Sequence, residues 1–516
     1  MLDRWRAALA KAIAPKVGRR SYAAGRNSRL TAGWMASNGS ADEELAASLD
    51  ALRSRSRALV RDAAYAKRAR SIVVANVIGS GIGMQACVRS TRGELFARVN
   101  DSIEAAWAAW CRADACHTGG TVHFADLERM LMAQVFEAGE VFVRKHYRRF
   151  GESKVPLALE VIEAERIADK FTLPSDAAER PRLGIEVDDF GRPIAYWIRN
   201  RHPGDISFLG SQTDTIVRVP ADEMIHLRIV DRWPQVRGEP WLHAVAKRLN
   251  DMDGYSEAEI VAARAAAVYV GVIESPESPE LNEDTSRPEV TLEPGMTMHL
   301  QPGEKFNPYA PNRPNTAMDP FMRLMLREVA AGVGVSYESL SRDYSQSNYS
   351  SSRLALLDDR DLWRVLQQWF IRSFREPLHR EWLRLAVMAG AVPAVSVEAF
   401  ALDMEKFSAV SFKPRGWGWV DPTKEVTAYK EAVLAGFTTV SDVIAATGGG
   451  MDIEDVMQQR RRELDLMESL DLEFDTKYEE PPEPAAPDTP DPPDPPDGED
   501  DSSTEDPPAR VFSFGR

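Results

Sequence analysis

An α+β fold is predicted by three features of the 516-residue chain. Between residues 140 and 240, E-V-F-V-R-K-H-Y, L-A-L-E-V-I and M-I-H-L-R-I-V alternate apolar and polar residues, the period of half-buried strands. Trp241 to Val270 reads as a helix with an alanine-rich end. Further on, Leu362, Leu366, Phe370, Phe374, Leu378, Trp382 and Leu385 recur every three or four residues and form a long helical stripe. The length suffices for about three domains.

Taken in order, residues 1–40 are basic, rich in small residues and poorly periodic, and read as an arm ordered only by contact with something else. Ser40 begins a helix, with Glu43 and Glu44 in its first turn. Ile72 to Ile78 is expected to be strand-like or buried. Helices follow around Ile103–Trp110 and Leu127–Phe136. The run D-D-F-G-R-P at Asp188–Pro193 sets turn formers between two alternating segments and predicts a hairpin. Residues 274–315 hold eight prolines and only short strands such as T-M-H-L. Asp319 and Pro320 predict a helix start, and Gly332 its stop. Pro377 is expected to kink the long helix. Asp421 and Pro422 begin another helical region, in which Gly448–Gly450 is a break.

Charge is unevenly placed. The net value is −16, yet residues 1–70 carry a balance of +9, residues 479–508 a balance of −12 with eleven prolines, and the body 71–478 a balance of −15. The tail is too polar and like-charged to fold alone. An acidic body suits neither tight DNA binding nor counterion release. No apolar run nears the roughly 18 residues that span a bilayer, so no membrane partner is expected. Three cysteines are too few for a disulfide framework.

Catalytic signatures are missing from the sequence. There is no phosphate-binding G-x-x-x-x-G-K-[ST] and no G-x-S-x-G elbow, and the glycines at 79, 81 and 83 lack dinucleotide spacing. Cys111, Cys116, His117 and His123 depart from the paired spacing of structural zinc sites and read as buried thiols with surface imidazoles. His202, His226, His243, His299 and His379 sit in patterned segments. Trp417 and Trp419 are expected on one face of a strand at a packed junction. No catalytic residue, metal or cofactor is expected.

One stretch remains. Ser341, Arg342, Asp343, Tyr344, Ser345, Gln346, Ser347, Asn348, Tyr349 and Ser350 make a polar loop between two patterned helices. Its hydroxyls, amides and backbone groups need water or a polar ligand. On the residues alone, this is an exposed surface loop.

Several runs carry a resemblance. V-A-A-G-V-G-V-S-Y-E-S-L-S-R-D-Y-S-Q-S-N-Y-S-S-S-R-L-A-L-L-D spans Val329–Asp358, F-K-P-R-G-W-G-W-V-D-P-T-K-E-V spans Phe412–Val426, and L-A-G-F-T-T-V-S-D spans Leu434–Asp442. With A-N-V-I-G-S-G-I at Ala75, A-G-E-V-F at Ala138, G-R-P-I-A-Y at Gly191 and R-G-E-P-W-L at Arg237, they fall in the order found in the portal proteins of lambda-like tailed phages. The chain resembles that family over roughly residues 20–470.

The resemblance implies a portal fold: basic arm 1–40, mixed α/β wing 41–240, stem helices 241–270 and 316–335 around a clip 271–315, and a tunnel loop region 336–351. A long kinked wing helix 352–390, returning strands 391–420, a helical crown 421–475 and a tail 476–516 follow. It implies a non-enzymatic conduit at a capsid vertex, assembled in the host cytoplasm as a homo-oligomeric, dodecameric ring, with loop residues 341–350 facing double-stranded DNA. Implied partners are terminase, major capsid and scaffold or protease proteins, and head-completion proteins. A DNA-processing enzyme and a monomeric adaptor are the competing classes.

Overall fold

In the computed structural model, the described residues are 38–90, 93, 95–169, 181–205, 215–268, 271–274, 305–308, 315–346, 348–417, 422–447 and 453–472. The arm 1–37, T-M-H-L, Trp419, Asp421, His299, Gly448–Gly450 and the tail lie outside them.

Three helices open the body: α1 (Ala41–Ala46), α2 (Leu49–Asp62) and α3 (Ala64–Val77). Ser40 caps α1 by accepting the Glu43 N–H at 3.3 Å. The segment Ile72–Ile78 belongs to α3 and its turn, not to a strand; Ile72, Val73, Val77 and Ile78 are all buried. An apolar run this short reads alike as a buried helix or a buried strand, and here packing against several other helices decides it. After β1 (Gly83–Ala86), α4 (Ala97–Trp110), α5 (Ala113–Cys116) and α6 (Phe124–Ala138) complete the helical layer.

The strands form two three-stranded antiparallel sheets. In one, β2 (Glu140–His146) lies between β3 (Ala158–Ile162) and β7 (Met224–Arg228). In the other, β5 (Pro193–Arg199) lies between β4 (Ile185–Val187) and β6 (Ile216–Pro220). The expected hairpin joins β4 to β5: the Asp188 carboxylate accepts the Phe190 and Arg192 N–H groups at 2.9 and 2.7 Å, and Gly191 takes φ +79°. Glycine tolerates that left-handed backbone without a Cβ clash.

Next, α7 (Ala246–Val268) leads to the paired β8 (Gly271–Glu274) and β9 (Lys305–Pro308), then α8 (Met318–Val333) and α9 (Tyr337–Ser341). Two expectations for α8 are corrected. It begins at Met318 rather than Pro320, because the Asp319 carboxylate accepts from Arg323 at 3.0 Å instead of capping. It ends at Gly334 (φ +80°), while Gly332 stays helical and close against Val245, where a Cβ would collide.

The long helix runs as α10 (Tyr349–Phe370), a π turn (Ile371–Arg375) and α11 (Glu376–Met388). The irregularity expected from Pro377 takes this form: the Glu376 N–H reaches back five residues to Ile371 O. Proline removes one donor from the ladder, and a π turn absorbs the misfit just ahead of it. Short helices α12 (Val397–Leu402) and α13 (Met404–Phe407) precede β10 (Val410–Lys413), which pairs antiparallel with β1. Trp417 lies beyond that strand, so strand alternation does not place it. Its indole donates to Asn76 Oδ1 at 3.0 Å, with the Arg360 and Arg364 guanidiniums against the ring.

One large core joins helices α3, α4, α6, α8 and α10–α11, while a second, containing Phe142, Ile162, Ile185, Tyr196 and Val219, sits between the sheets. Two buried charge clusters brace them. Glu140 meets Arg53, Arg237 (2.8 Å) and His226 (2.8 Å). Burial alone would raise the Glu140 carboxyl, but Arg237 and Arg53 outweigh it and hold it well below the usual range. Arg375, on the π turn, pairs with Glu128 at 3.3 Å and stacks on Trp107, Phe124 and Phe412.

Helices α14 (Pro422–Leu434) and α15 (Val440–Thr447) close the body; α14 buries none of its described residues, and Leu434 and Phe437 are exposed. The chain divides into units 1–455 and 456–516, and α16 (Ile453–Ser469) spans that division. No helix among the described residues is long and apolar enough to cross a membrane.

Candidate functional site

The polar loop is built from its base upward. Asp359, buried on α10, accepts the Ser336 N–H at 2.9 Å and the Ser339 hydroxyl at 3.2 Å, and lies 2.7 Å from Ser336 Oγ. Burial raises the Asp359 pKa and the serine hydrogen bonds oppose that rise. From α3, Arg68 Nε donates to Ser339 O at 3.2 Å. Thus α9 is tied to two helices.

Ser341 and Arg342 close α9. The Ser341 hydroxyl donates to Tyr337 O at 2.7 Å and accepts the Asp343 N–H at 3.1 Å. Arg342 takes the left-handed conformation (φ +57°) with its N–H on Glu338 O at 2.8 Å.

Asp343 organises the turn beyond Arg342. Its carboxylate accepts from Ser345 Oγ (2.6 Å), the Ser345 N–H (3.1 Å) and Tyr337 Oη (2.9 Å), and Arg323 of α8 lies 3.4 Å away. Hydrogen bonds from Ser345 and Tyr337, with Arg323 nearby, hold its pKa down at about 2. At the far end Asn348 caps α10: its Oδ1 accepts the Ser351 N–H at 2.8 Å, and Ser351 Oγ accepts the Asn348 N–H at 3.2 Å.

The candidate residues therefore divide. Ser341 ends α9, and Tyr349 and Ser350 begin α10, so the irregular stretch is 342–348. Arg342, Tyr344, Ser345, Gln346 and Asn348 are exposed; Ser347 lies outside the described residues. Asp343 is engaged by Ser345, Tyr337 and Arg323. Arg342 instead lies near Arg68, whose pKa is lowered by burial and by that second guanidinium. An exposed cation beside neutral donors and an aromatic face suits contact with phosphate at any base sequence.

The other candidates occupy structural positions. Cys111 and Cys116 are buried free thiols, and burial pushes Cys116 up to about 12. His123 accepts the Ala125 N–H at 3.2 Å to cap α6. His226 is buried on Glu140, and His379 is buried among Trp107, Trp382 and Phe412. Among the described residues one metal-compatible grouping, Glu163, Glu165 and His202, comes together. Sequence reading missed it, and Arg57 already pairs with Glu165 at 2.7 Å. Sequence reading also missed Arg323, Tyr337 and Asp359, whose roles depend on contacts six to twenty-three residues away; only the D-x-S turn and the N-x-x-S cap were locally legible.

The family model described as phage portal protein, lambda family, matches residues 27–367. The probable portal protein of Halomonas phage phiHAP-1 is 30% identical over 454 residues, covering 85% of each chain. Portal protein B of Escherichia phage lambda is 22% identical over 449 residues, covering 78% of this chain and 81% of that one. Among solved structures, a chain from the neck of a native gene transfer agent particle, computed with C12 symmetry, is similar at TM-score 0.41 and 15% identity, covering 76% of this chain and 93% of that chain. The sequence runs that resembled portal proteins, the mixed helix-and-strand fold and the match over most of the chain agree: the chain belongs to the lambda family of phage portal proteins.

Proposed function

We propose that this portal chain closes into a ring of twelve subunits at one capsid vertex, and that residues 342–348 line the tunnel through which double-stranded DNA passes during packaging and ejection. The observation that carries this reading is the loop's construction. It is clamped at both ends, its one carboxylate is engaged internally, and it offers neutral donors, Tyr344 and a single cation, Arg342, to its surroundings. Such a surface touches phosphates without the multiple cations that would make passage slow.

The remaining parts of the reading follow the family. The wing spans 41–240 and 352–420, the stem 241–270 and 316–335, the clip 271–315 and the crown 421–475. Partners are terminase at the clip, major capsid and scaffold proteins, and head-completion proteins, with assembly in the host cytoplasm. The protein acts as a conduit rather than an enzyme. Negative-stain images of purified protein test the ring: closed rings support it, and a strictly monomeric protein overturns it. A magnesium-dependent nuclease activity would favour the DNA-processing alternative.

A further inference from the structure

Two large aromatics stand in solvent at adjacent turns. Phe190 is 78% exposed at the tip of the β4–β5 hairpin, and Trp233 is 72% exposed in the segment after β7. They line one pocket with Gly191, Pro234 and the charged Arg182, Asp188 and Asp189. The indole lies on the hairpin backbone, its edge 3.2 Å from where a Gly191 Cβ would be.

Both turns are internally bonded. Asp188 N–H donates to Arg192 O at 2.9 Å and Gly191 N–H to Asp188 O at 3.0 Å. Buried Gln235 accepts the Asp231 and Arg232 N–H groups at 3.2 and 3.3 Å. The aromatics are therefore held out on rigid supports, an arrangement that lowers the entropy cost of binding. Isolated exposed apolar residues need no explanation, but two preorganised aromatics lining one pocket mark an interaction surface.

Where the chain leaves the described structure identifies the occupant. Arg232, next to Trp233, donates to Gly39 O at 3.1 Å and pairs with Glu44 at 2.9 Å, and the Asp42 carboxylate accepts the Val236 N–H at 2.8 Å. Residues 1–37 therefore continue from a point fixed beside the platform. Their last ten, S-R-L-T-A-G-W-M-A-S, carry Leu30, Trp34 and Met35. Trp34 is five residues from Gly39, a reach of at most about 18 Å. A segment tethered so close has a high effective concentration at the platform.

We propose that Ser28–Ser37 of the same chain docks on the Phe190–Trp233 platform, with Leu30 and Trp34 as its apolar anchors. Docking fixes the root of the basic arm at this end of the sheets, independently of how the loop 342–348 is used. The test places a photo-cross-linking benzoylphenylalanine at position 190 of the full-length chain, in rings assembled from an equal mixture of light and heavy-nitrogen subunits. The expected product joins position 190 to residues 28–37 of the same isotope. Leu30→Ser with Trp34→Ser should lower its yield about tenfold, as truncating aromatic anchors does, with thermal unfolding unchanged. Mixed-isotope products, cross-links elsewhere, absence of cross-links, or an undiminished yield in the double variant overturn the proposal.

Discussion

Glu140→Gln should destabilise the protein more than any single change to the cations around it. The side chains of Glu140 and Arg237 are fully buried, and that of Arg53 is 3% exposed. The same carboxylate also accepts the Gly238 N–H at 3.0 Å. With Glu140 neutral, two buried guanidiniums lose their shared counter-charge, a loss worth about 3–5 kcal/mol. Arg53→Met instead leaves a balanced Arg237–Glu140 pair and removes a hydrogen bond to Ala138 O, so about 1–3 kcal/mol is expected. Thermal unfolding at pH 7, followed by near-ultraviolet circular dichroism, reads both, with a fall of about 5 °C for Glu140→Gln. A Glu140→Gln protein within about 1 kcal/mol of the parent, or one more stable than Arg53→Met, refutes this account of the cluster.

Acid should weaken the body through its buried imidazoles. His226 and His379 have pKa values lowered by burial to about 4 and about 3, from an ordinary 6.5. The unfolded chain therefore binds protons first as pH falls below 6.5, and each group removes roughly 2 kcal/mol by pH 5. Thermal unfolding between pH 7 and 5 checks this, and His379→Phe should flatten the slope. Gly139 has φ +85° and a Cβ there would enter the Glu239 backbone, so Gly139→Ala should abolish soluble folded protein, judged by expression and circular dichroism. Truncation after Asp475 removes the acidic tail and should leave ring formation and thermal stability unchanged in negative stain and melting curves.

Local chemistry was legible where a residue and its partner are close in sequence. Ser40 caps α1, Asp188 organises the hairpin, and the long apolar stripe forms one helix through Pro377. Longer-range choices were not. Ile72–Ile78 is helical because α2, α6, α9 and α10 all pack on α3, which no short window reveals. Asp319 looked like a cap, yet Arg323 claims its carboxylate. At the loop, polarity announced exposure, but the Arg323–Asp343 contact crosses from one helix to another and changes which charge is left outward. The buried Arg53–Glu140–Arg237 cluster joins residues up to 184 positions apart through the fold alone.

DNA packaging and retention in reconstituted heads, using a chain with Ser345→Lys, Gln346→Lys and Ser347→Lys, tests the tunnel-loop claim most directly. Ser345 and Gln346 are exposed, so the substitutions should leave rings intact in negative stain. Each added cation strengthens contact with the phosphate backbone and steepens its salt dependence, by a slope of about one per phosphate neutralised. The account predicts normal rings with slowed packaging, relieved as salt is raised. Unimpaired packaging at low salt would contradict it.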